Sequence, residues 1–394
     1  MIQKTKVLHI APIINHRKKS QIDGDGDTKK YFTIGGLSNS VRKLAEGQNQ
    51  NNMDVGIITT RVSSRAAPES IFWLSSADKS ILNLFLNDPF HEVAHEFGIP
   101  DVLHAHDIYE LKQLAFIFHA KRRGIKVFVS PRGTLSPVAI STSIVKKTIY
   151  IRTIFSIFVR YINGFVALNE GESRAIRKVY KNKKIITISN GVDNNDKHLL
   201  KNKNNYQNKL KQKIINIGFL GRFEVHIKGL DNLLNSYIQY QKITNNIVIK
   251  LIFIGEHTKK NIDSNSFFQS ELNKLKNREM VEMIPSKYND EKWEELSKLD
   301  IFVHPSRSEG MPNAVLEAMS MGIPCMVSPQ TNIGDIIKAA NCGWVVENDE
   351  TSLLNFFLDI EKKNKSTLNE LGKNGLRYSR DKLNWKTVSS SSYY

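Results

Sequence analysis

The chain reads as an α/β protein made of two Rossmann-like, doubly wound parallel-sheet domains. Three observations predict this. Its 394 residues exceed a usual single core and fit two domains of about 190 residues each. Short apolar, β-prone runs alternate with segments of helical period, the pattern of a parallel sheet covered on both faces. A strand, a glycine loop and a helix open the series twice, after Ile10 and again after Leu220, as a doubly wound plan requires.

In chain order, Lys6 to Ile10 is an apolar first strand, and residues 15–30, rich in Asp, Gly and Lys, read as a mobile loop. The DGDGD run inside it resembles a calcium loop but lacks the flanking helices and closing Glu. Gly35 and Gly36 then precede a helix with Leu37, Val41, Leu44 and Ala45 on its apolar side, followed by a strand from Val55 to Thr59. Glycines at a helix entry let a ligand phosphate or sugar approach the backbone. Asp101 to Asp107 is a strand ending in His104, His106 and Asp107, where open α/β sheets place ligand-binding residues. A histidine pair suits a metal, yet no third ligand follows at suitable spacing, so no metal is expected.

After the next strand, Lys126 to Ser130, a loop carries Arg132 beside Gly133, placed to meet an anion, although a loop Arg is ordinarily just solvated. Residues 144–161 mix Ile, Phe and Tyr with Lys146, Lys147, Arg152 and Arg160 and contain no acid. Such a stretch fits either an amphipathic helix on an anionic membrane or a helix packed on the sheet. Strands at Phe165 to Leu168 and Ile185 to Ile188 enclose a helix from Glu172 to Val179. The Asn- and Lys-rich residues 194–213 then read as a linker between a first domain, 1–193, and a second, 214–380.

The second domain opens on a strand, Ile214 to Leu220, followed by a glycine-framed loop holding Gly221, Arg222, Lys228 and Gly229. Two cations at a strand's carboxyl end can neutralise a diphosphate leaving group, Arg222 by bidentate contact and Lys228 as a point charge. Val248 to Gly255 is the next strand. Residues 300–328 then read as strand, polar loop, helix and strand. The helix entry offers unpaired N–H groups and a positive dipole end to an anion. Glu309 in the loop and Glu317 in the helix frame it; eight residues of helix would span roughly 12 Å, and carboxylates suit the hydroxyl pairs of a sugar or ribose. An edge strand from Val345 to Glu347 and a long helical stretch, Thr351 to Arg380, complete the domain, leaving residues 381–394 as a terminal helix.

The segment HPSRSEGMPNAVLEAMSMGIP resembles the E-x7-E signature of retaining GT-B glycosyltransferases of the family 4 type, and the motifs fall in that family's order. The resemblance implies a GT-B fold, two Rossmann-like domains facing a cleft. It implies that Glu309 contacts the donor sugar and Glu317 the nucleotide ribose, with Gly310, Met311, Pro312, Asn313, Gly221 and Gly255 around the donor. Arg222 and Lys228 match its Gly-Arg and Lys-Gly pair, His106 its histidine at donor and acceptor sugars, and Gly35 and Gly36 its glycine loop facing the donor diphosphate and acceptor. The Pro-Arg-Gly-x-Leu segment at Arg132 is similar to one in bacterial polysaccharide-building members, implying an acceptor or phosphate contact, and residues 381–394 resemble a helix that crosses back to the first domain.

The implied activity is a retaining hexosyl transfer from a nucleotide-diphospho-sugar to a glycan or polyprenyl-diphosphate-linked acceptor, with no cofactor and no metal, in cell-surface polysaccharide synthesis. Composition adds bounds. Net charge is +17, and residues 1–190 carry 28 Lys plus Arg against 15 Asp plus Glu, +13, whereas the remainder carries +4. That asymmetry predicts an anionic partner for the first half, whether nucleic acid, an anionic membrane surface or a phosphorylated acceptor, and of these an anionic membrane surface is expected and nucleic acid is not. Cys325 and Cys342 form no disulfide framework, and the first apolar run of about eight residues is short for a signal peptide. A cytoplasmic chain, peripheral on the cytoplasmic face of the plasma membrane, is therefore expected. A nucleic-acid-binding protein lacks any recognised module here, and an NAD-dependent oxidoreductase lacks a GxGxxG after either opening strand.

Overall fold

The computed structural model describes residues 4–12, 15–17, 32–34, 36–61, 71–135, 144–193, 199, 213–257, 262–390 and 393. Gly35, the DGDGD run and nearly all of the 194–213 linker lie outside them. The chain forms two compact units, Met1–Gly191 together with Trp385–Tyr394, and Val192–Asn384.

The first unit is a seven-stranded parallel sheet in the order β5-β4-β1-β6-β7-β8-β9. Its strands are β1 (Lys6–Ala11), β4 (Asp54–Thr59), β5 (Phe72–Ser75), β6 (Val102–His106), β7 (Lys126–Ser130), β8 (Gly164–Ala167) and β9 (Lys184–Thr187). β2 (Asn15–Arg17) and β3 (Phe32–Ile34) pair as a small antiparallel ribbon, so the stretch read as loop starts in a strand and is followed by its partner. The sheet runs outward from β1 through β4 to β5, then restarts at β6 and runs the other way, which puts its switch point between β1 and β6. Open α/β sheets bind ligands beyond the strand ends at that position. His9 on β1 lies in register with His104 on β6.

The second unit repeats the plan with six strands in the order β12-β11-β10-β13-β14-β15. They are β10 (Ile215–Leu220), β11 (Ile249–Gly255), β12 (Val281–Pro285), β13 (Ile301–His304), β14 (Cys325–Val327) and β15 (Gly343–Val345). The switch point falls between β10 and β13. Ile217, Phe219, Leu251, Phe253, Ile301 and Val303 are buried in one core with Leu233, Tyr237 and Phe357 from the covering helices. Ile252, Ile254 and Phe302 on the opposite face are buried as well, and this two-sided burial is why the strands read as continuous apolar runs instead of alternating ones.

Three expectations are corrected. The single long helix expected over Thr351 to Arg380 is two, Glu350–Ile360 and Lys365–Lys382, because the Asn364 side chain accepts from Thr367 N and starts a new helix. The helix expected across Ile144 to Tyr161 carries a π-helical turn at Ile151–Phe155 between α-helical Ile144–Tyr150 and Ser156–Val159. The helix after Glu309 begins at Asn313, where its periodicity predicts it, so half the stretch between Glu309 and Glu317 is loop and the eight-residue helical span expected for that pair does not apply.

At residue 385 the chain joins the first unit. The short helix Trp385–Ser389 packs on the helix Gly36–Gln50, and Asn51 Nδ2 donates to Lys386 O and Ser389 Oγ at 2.7 and 2.9 Å. Trp385, Val388 and Tyr393 are buried with Val7, Leu44, Val102, Phe128 and Val166.

Candidate active site

In the second unit, β10 and β13 are neighbours, and the loops leaving their carboxyl ends meet. The turn Val225–Lys228 is held to the 305–309 loop by Arg307, whose N–H donates to Ile227 O and whose guanidinium donates to His226 O and the Asp231 carboxylate, the last two at 2.6 and 2.7 Å. Ser306 Oγ donates to Ile227 O at 2.9 Å. Gly229, with φ 66°, lets the chain reverse directly after Lys228, and a Cβ there would overlap Pro305 O and Asn348. This clamp delivers Lys228 Nζ to Glu309 Oε1 as a close ion pair between two mostly buried side chains.

The same carboxylate oxygen faces His304 Nε2 at 3.0 Å and Ser306 Oγ at 3.2 Å. Burial alone would push the Glu309 carboxyl up, but Lys228 and His304 together outweigh it and hold its pKa down at about 2. Burial pulls His304 down, against the raising effect of Glu309. His304 Nε2 therefore carries the proton that Glu309 accepts, while its Nδ1 is buried without a partner. Its ring lies parallel to Phe219 and Phe302. Sequence reading passed over His304; its place two residues before the Ser306 turn, at the very end of β13, is the signal that marks it.

The expected cation pair separates. Lys228 joins Glu309, whereas Arg222 is exposed and its Nη1 meets Glu224 Oε1 at 3.2 Å. Glu317 sits in the helix Asn313–Ser320 and is ion-paired at 2.8 Å with Lys292, another residue sequence reading missed because Lys292 lies on a separate helix, Asn289–Ser297. Pro312 at the helix N-cap supplies no side-chain hydrogen bond. Gly255 has a structural duty of its own: a Cβ there would overlap the Gly221 carbonyl, so its lack of a side chain allows the ends of β10 and β11 to close together.

In the first unit, β6 delivers His104 and His106 as expected, and β1 adds His9. The three rings are fully buried, and one nitrogen from each lies within 4.8 Å of the other two. The third imidazole that spacing did not reveal comes from a neighbouring strand. Arg132, with φ 58° in the left-handed region, turns its guanidinium onto His106 Nδ1 at 3.2 to 3.3 Å and onto Asn190 Oδ1 at 2.8 Å. Burial lowers the Arg132 pKa to about 10. Glu172 accepts from the N–H groups of Gly133 and Leu168 and supports this loop from below. Gly36 begins the helix that runs to Gln50.

Two family models match the chain in tandem: "Glycosyltransferase Family 4" over residues 34–196 and "Glycosyl transferases group 1" over residues 201–377. The capsular polysaccharide biosynthesis glycosyltransferase CapM of Staphylococcus aureus is 24% identical over 92% of this chain and 96% of its own. A UDP-Gal:alpha-D-GlcNAc-diphosphoundecaprenol alpha-1,3-galactosyltransferase of Escherichia coli is 39% identical over 80 residues, one fifth of each chain. Among solved structures, a sucrose-phosphate synthase from Thermosynechococcus elongatus superposes with a TM-score of 0.71, at 16% identity, over 98% of this chain and 97% of that one.

Proposed function

The chain belongs to the family 4 glycosyltransferases and has the GT-B fold, and from that premise we propose that it transfers a hexose from a nucleotide-diphospho-sugar to a glycan or polyprenyl-diphosphate-linked acceptor. The product belongs to cell-surface polysaccharide, and the anomeric configuration is retained. The observation that carries this reading is the Lys228–Glu309–His304 constellation at the second unit's switch point. Its charged groups are ordered before any ligand arrives, as electrostatic stabilisation of a departing diphosphate requires. The names of the S. aureus and E. coli relatives support the polysaccharide, donor and acceptor classes.

As the nucleoside diphosphate leaves, negative charge grows on its oxygens. Lys228, Arg222 and the N–H groups at the start of the helix Asn313–Ser320 neutralise it, so the reading needs neither a resident metal nor a cofactor. Gly310, Met311, Pro312 and Asn313 shape the donor pocket, Glu309 holds the sugar's hydroxyls, and Glu317 holds the ribose. Arg132, with Gly35 and Gly36, meets the acceptor's phosphate. A screen of UDP-, GDP- and ADP-sugars by thermal stabilisation and donor hydrolysis tests the whole reading, and no response to any of them overturns it. With the responding nucleotide, Glu317→Ala weakens binding by about 1.5–3 kcal/mol, the value of a hydrogen bond to a charged group. Unchanged affinity in calorimetry removes the ribose role.

The acceptor class bears on location. No helix of the described residues is long and apolar enough to cross a membrane. Over residues 144–159 the structure combines both sequence readings: Ile151 and Phe155 are buried in the first unit's core, while Ile144, Val145, Ile149 and Ile157 are more than half exposed in the same stretch as Lys146, Lys147 and Arg152. Phe158 also meets Phe85 of the helix Ile81–Leu86, whose Leu82 and Leu86 are exposed. Apolar side chains ringed by cations fit the headgroup boundary of an anionic cytoplasmic leaflet, where each Lys or Arg contributes about 1 kcal/mol. Sedimentation with vesicles should show capture by anionic but not neutral lipid and release by salt. Equal binding to both, or binding indifferent to replacing Lys146, Lys147, Arg152 and Arg160 with Gln, counts against a peripheral membrane location.

A further inference from the structure

The buried histidines of the first unit form a directed hydrogen-bond relay. An arginine only donates, so the contact from Arg132 makes His106 Nδ1 an acceptor and leaves the ring proton on Nε2. That Nε2–H points at His9 Nδ1, 2.9 Å away, so His9 carries its own proton on Nε2 and donates to Gln48 Oε1 at 2.7 Å. Gln48 Nε2 donates to the Tyr393 hydroxyl at 2.9 Å. The hydroxyl is left to donate to His104 Nδ1, also at 2.9 Å, and His104 Nε2–H reaches Ser130 Oγ at 2.7 Å. The steps as far as the Gln48 amide follow from the Arg132 contact, and the last two are the arrangement in which the Tyr393 hydroxyl proton also finds an acceptor.

This order tells against a metal centre. All six ring nitrogens already have partners, and a guanidinium sits on one of them. The relay also needs neutral rings, and burial supplies them. It lowers the His9 pKa to about 4, and burial aided by the neighbouring rings and Arg132 holds His104 and His106 well below 6.5.

We propose that Tyr393 is a positioning residue for the first unit's site: through Gln48, His9 and His106 it orders the acceptor atom that aims the Arg132 guanidinium. The far end of the relay is thus a hydroxyl brought in by the segment that returns after residue 385, and the near end is the cation facing the loop. Asn190 holds the other side of the same guanidinium. That Arg132 meets an acceptor phosphate rests on the function proposed above; the ordering of the rings does not.

Two arms keep these apart. Long-range ¹H–¹⁵N spectra of histidine-labelled protein, which need no substrate, should show three buried rings as Nε2–H tautomers that do not titrate between pH 6 and 8. In Tyr393→Phe, which melts lower because two buried polar groups lose a partner but stays folded by circular dichroism, His104 becomes a tautomer mixture and the His9 and His106 signals shift; in Arg132→Gln, His106 becomes a mixture. A wild-type ring bearing Nδ1–H, a titrating ring, or a Tyr393→Phe spectrum identical to wild type overturns the relay. In the kinetic arm, Tyr393→Phe raises the acceptor KM about fivefold to tenfold, the scale of one net hydrogen bond, with the donor KM unchanged. An equal rise in both, or none, overturns the positioning role while leaving the glycosyl-transfer reading to the donor screen.

Discussion

Lys228→Ala is expected to lower turnover at saturating donor by roughly 10² or more, the cost of losing one preorganised electrostatic contact. The ammonium is pinned by Glu309 and by the Ser306 and Arg307 clamp, so it requires no reorganisation when negative charge appears on the leaving group. The variant should also acquire a pH dependence that the wild type lacks. Burial and Lys228 both lower the His304 pKa, while Glu309 raises it; without the ammonium, His304 protonates more readily and supplies the positive charge beside Glu309. Residual activity rising towards acidic pH is the expected result. Wild-type turnover in Lys228→Ala refutes the leaving-group role outright.

Glu309→Ala should cost about 3–5 kcal/mol of stability, because removing one member of a mostly buried ion pair leaves the other charge uncompensated. Lys228→Met combined with Glu309→Gln should recover most of that loss, since no buried charge is then stranded, yet stay inactive. Chemical denaturation of the two variants reads the difference; equal destabilisation would mean the pair is effectively solvated. The acid limb carries the same information. The folded pKa of Glu309, about 2, lies below the unfolded value of about 4.3. Its contribution is therefore present above about pH 4.3 and lost as the pH falls towards 2. A Glu309→Gln variant should lose less stability than wild type over that interval.

Much of this molecule is determined locally. The parallel strands are buried on both faces, so runs such as those around Leu8, Phe253 and Val303 identify themselves by composition alone. The loops at strand ends need backbone that most residues resist, and Gly221, Gly229 and Gly255, which tolerate it, together with Pro312, whose φ is fixed, mark them in sequence. Since doubly wound sheets bind beyond strand ends at a switch point, Lys228, Glu309, His106 and Arg132 could be picked out before any coordinates existed.

Which partner each group meets is a different matter, because strand order is not written in sequence order. β1 and β6 stand side by side although about a hundred residues separate them, which turns an apparent histidine pair into a trio with His9. Lys228 finds Glu309 and Arg222 does not, a consequence of the reversal at Gly229 and the Arg307 clamp. Glu317 is matched by Lys292 from another helix. Tyr393 reaches His104 over 289 positions, a contact no periodicity encodes. Local propensity and burial pattern set the elements and their punctuation; the pairing of charges and the direction of buried hydrogen bonds follow only from packing, where each polar group must find a partner or bear the cost of desolvation.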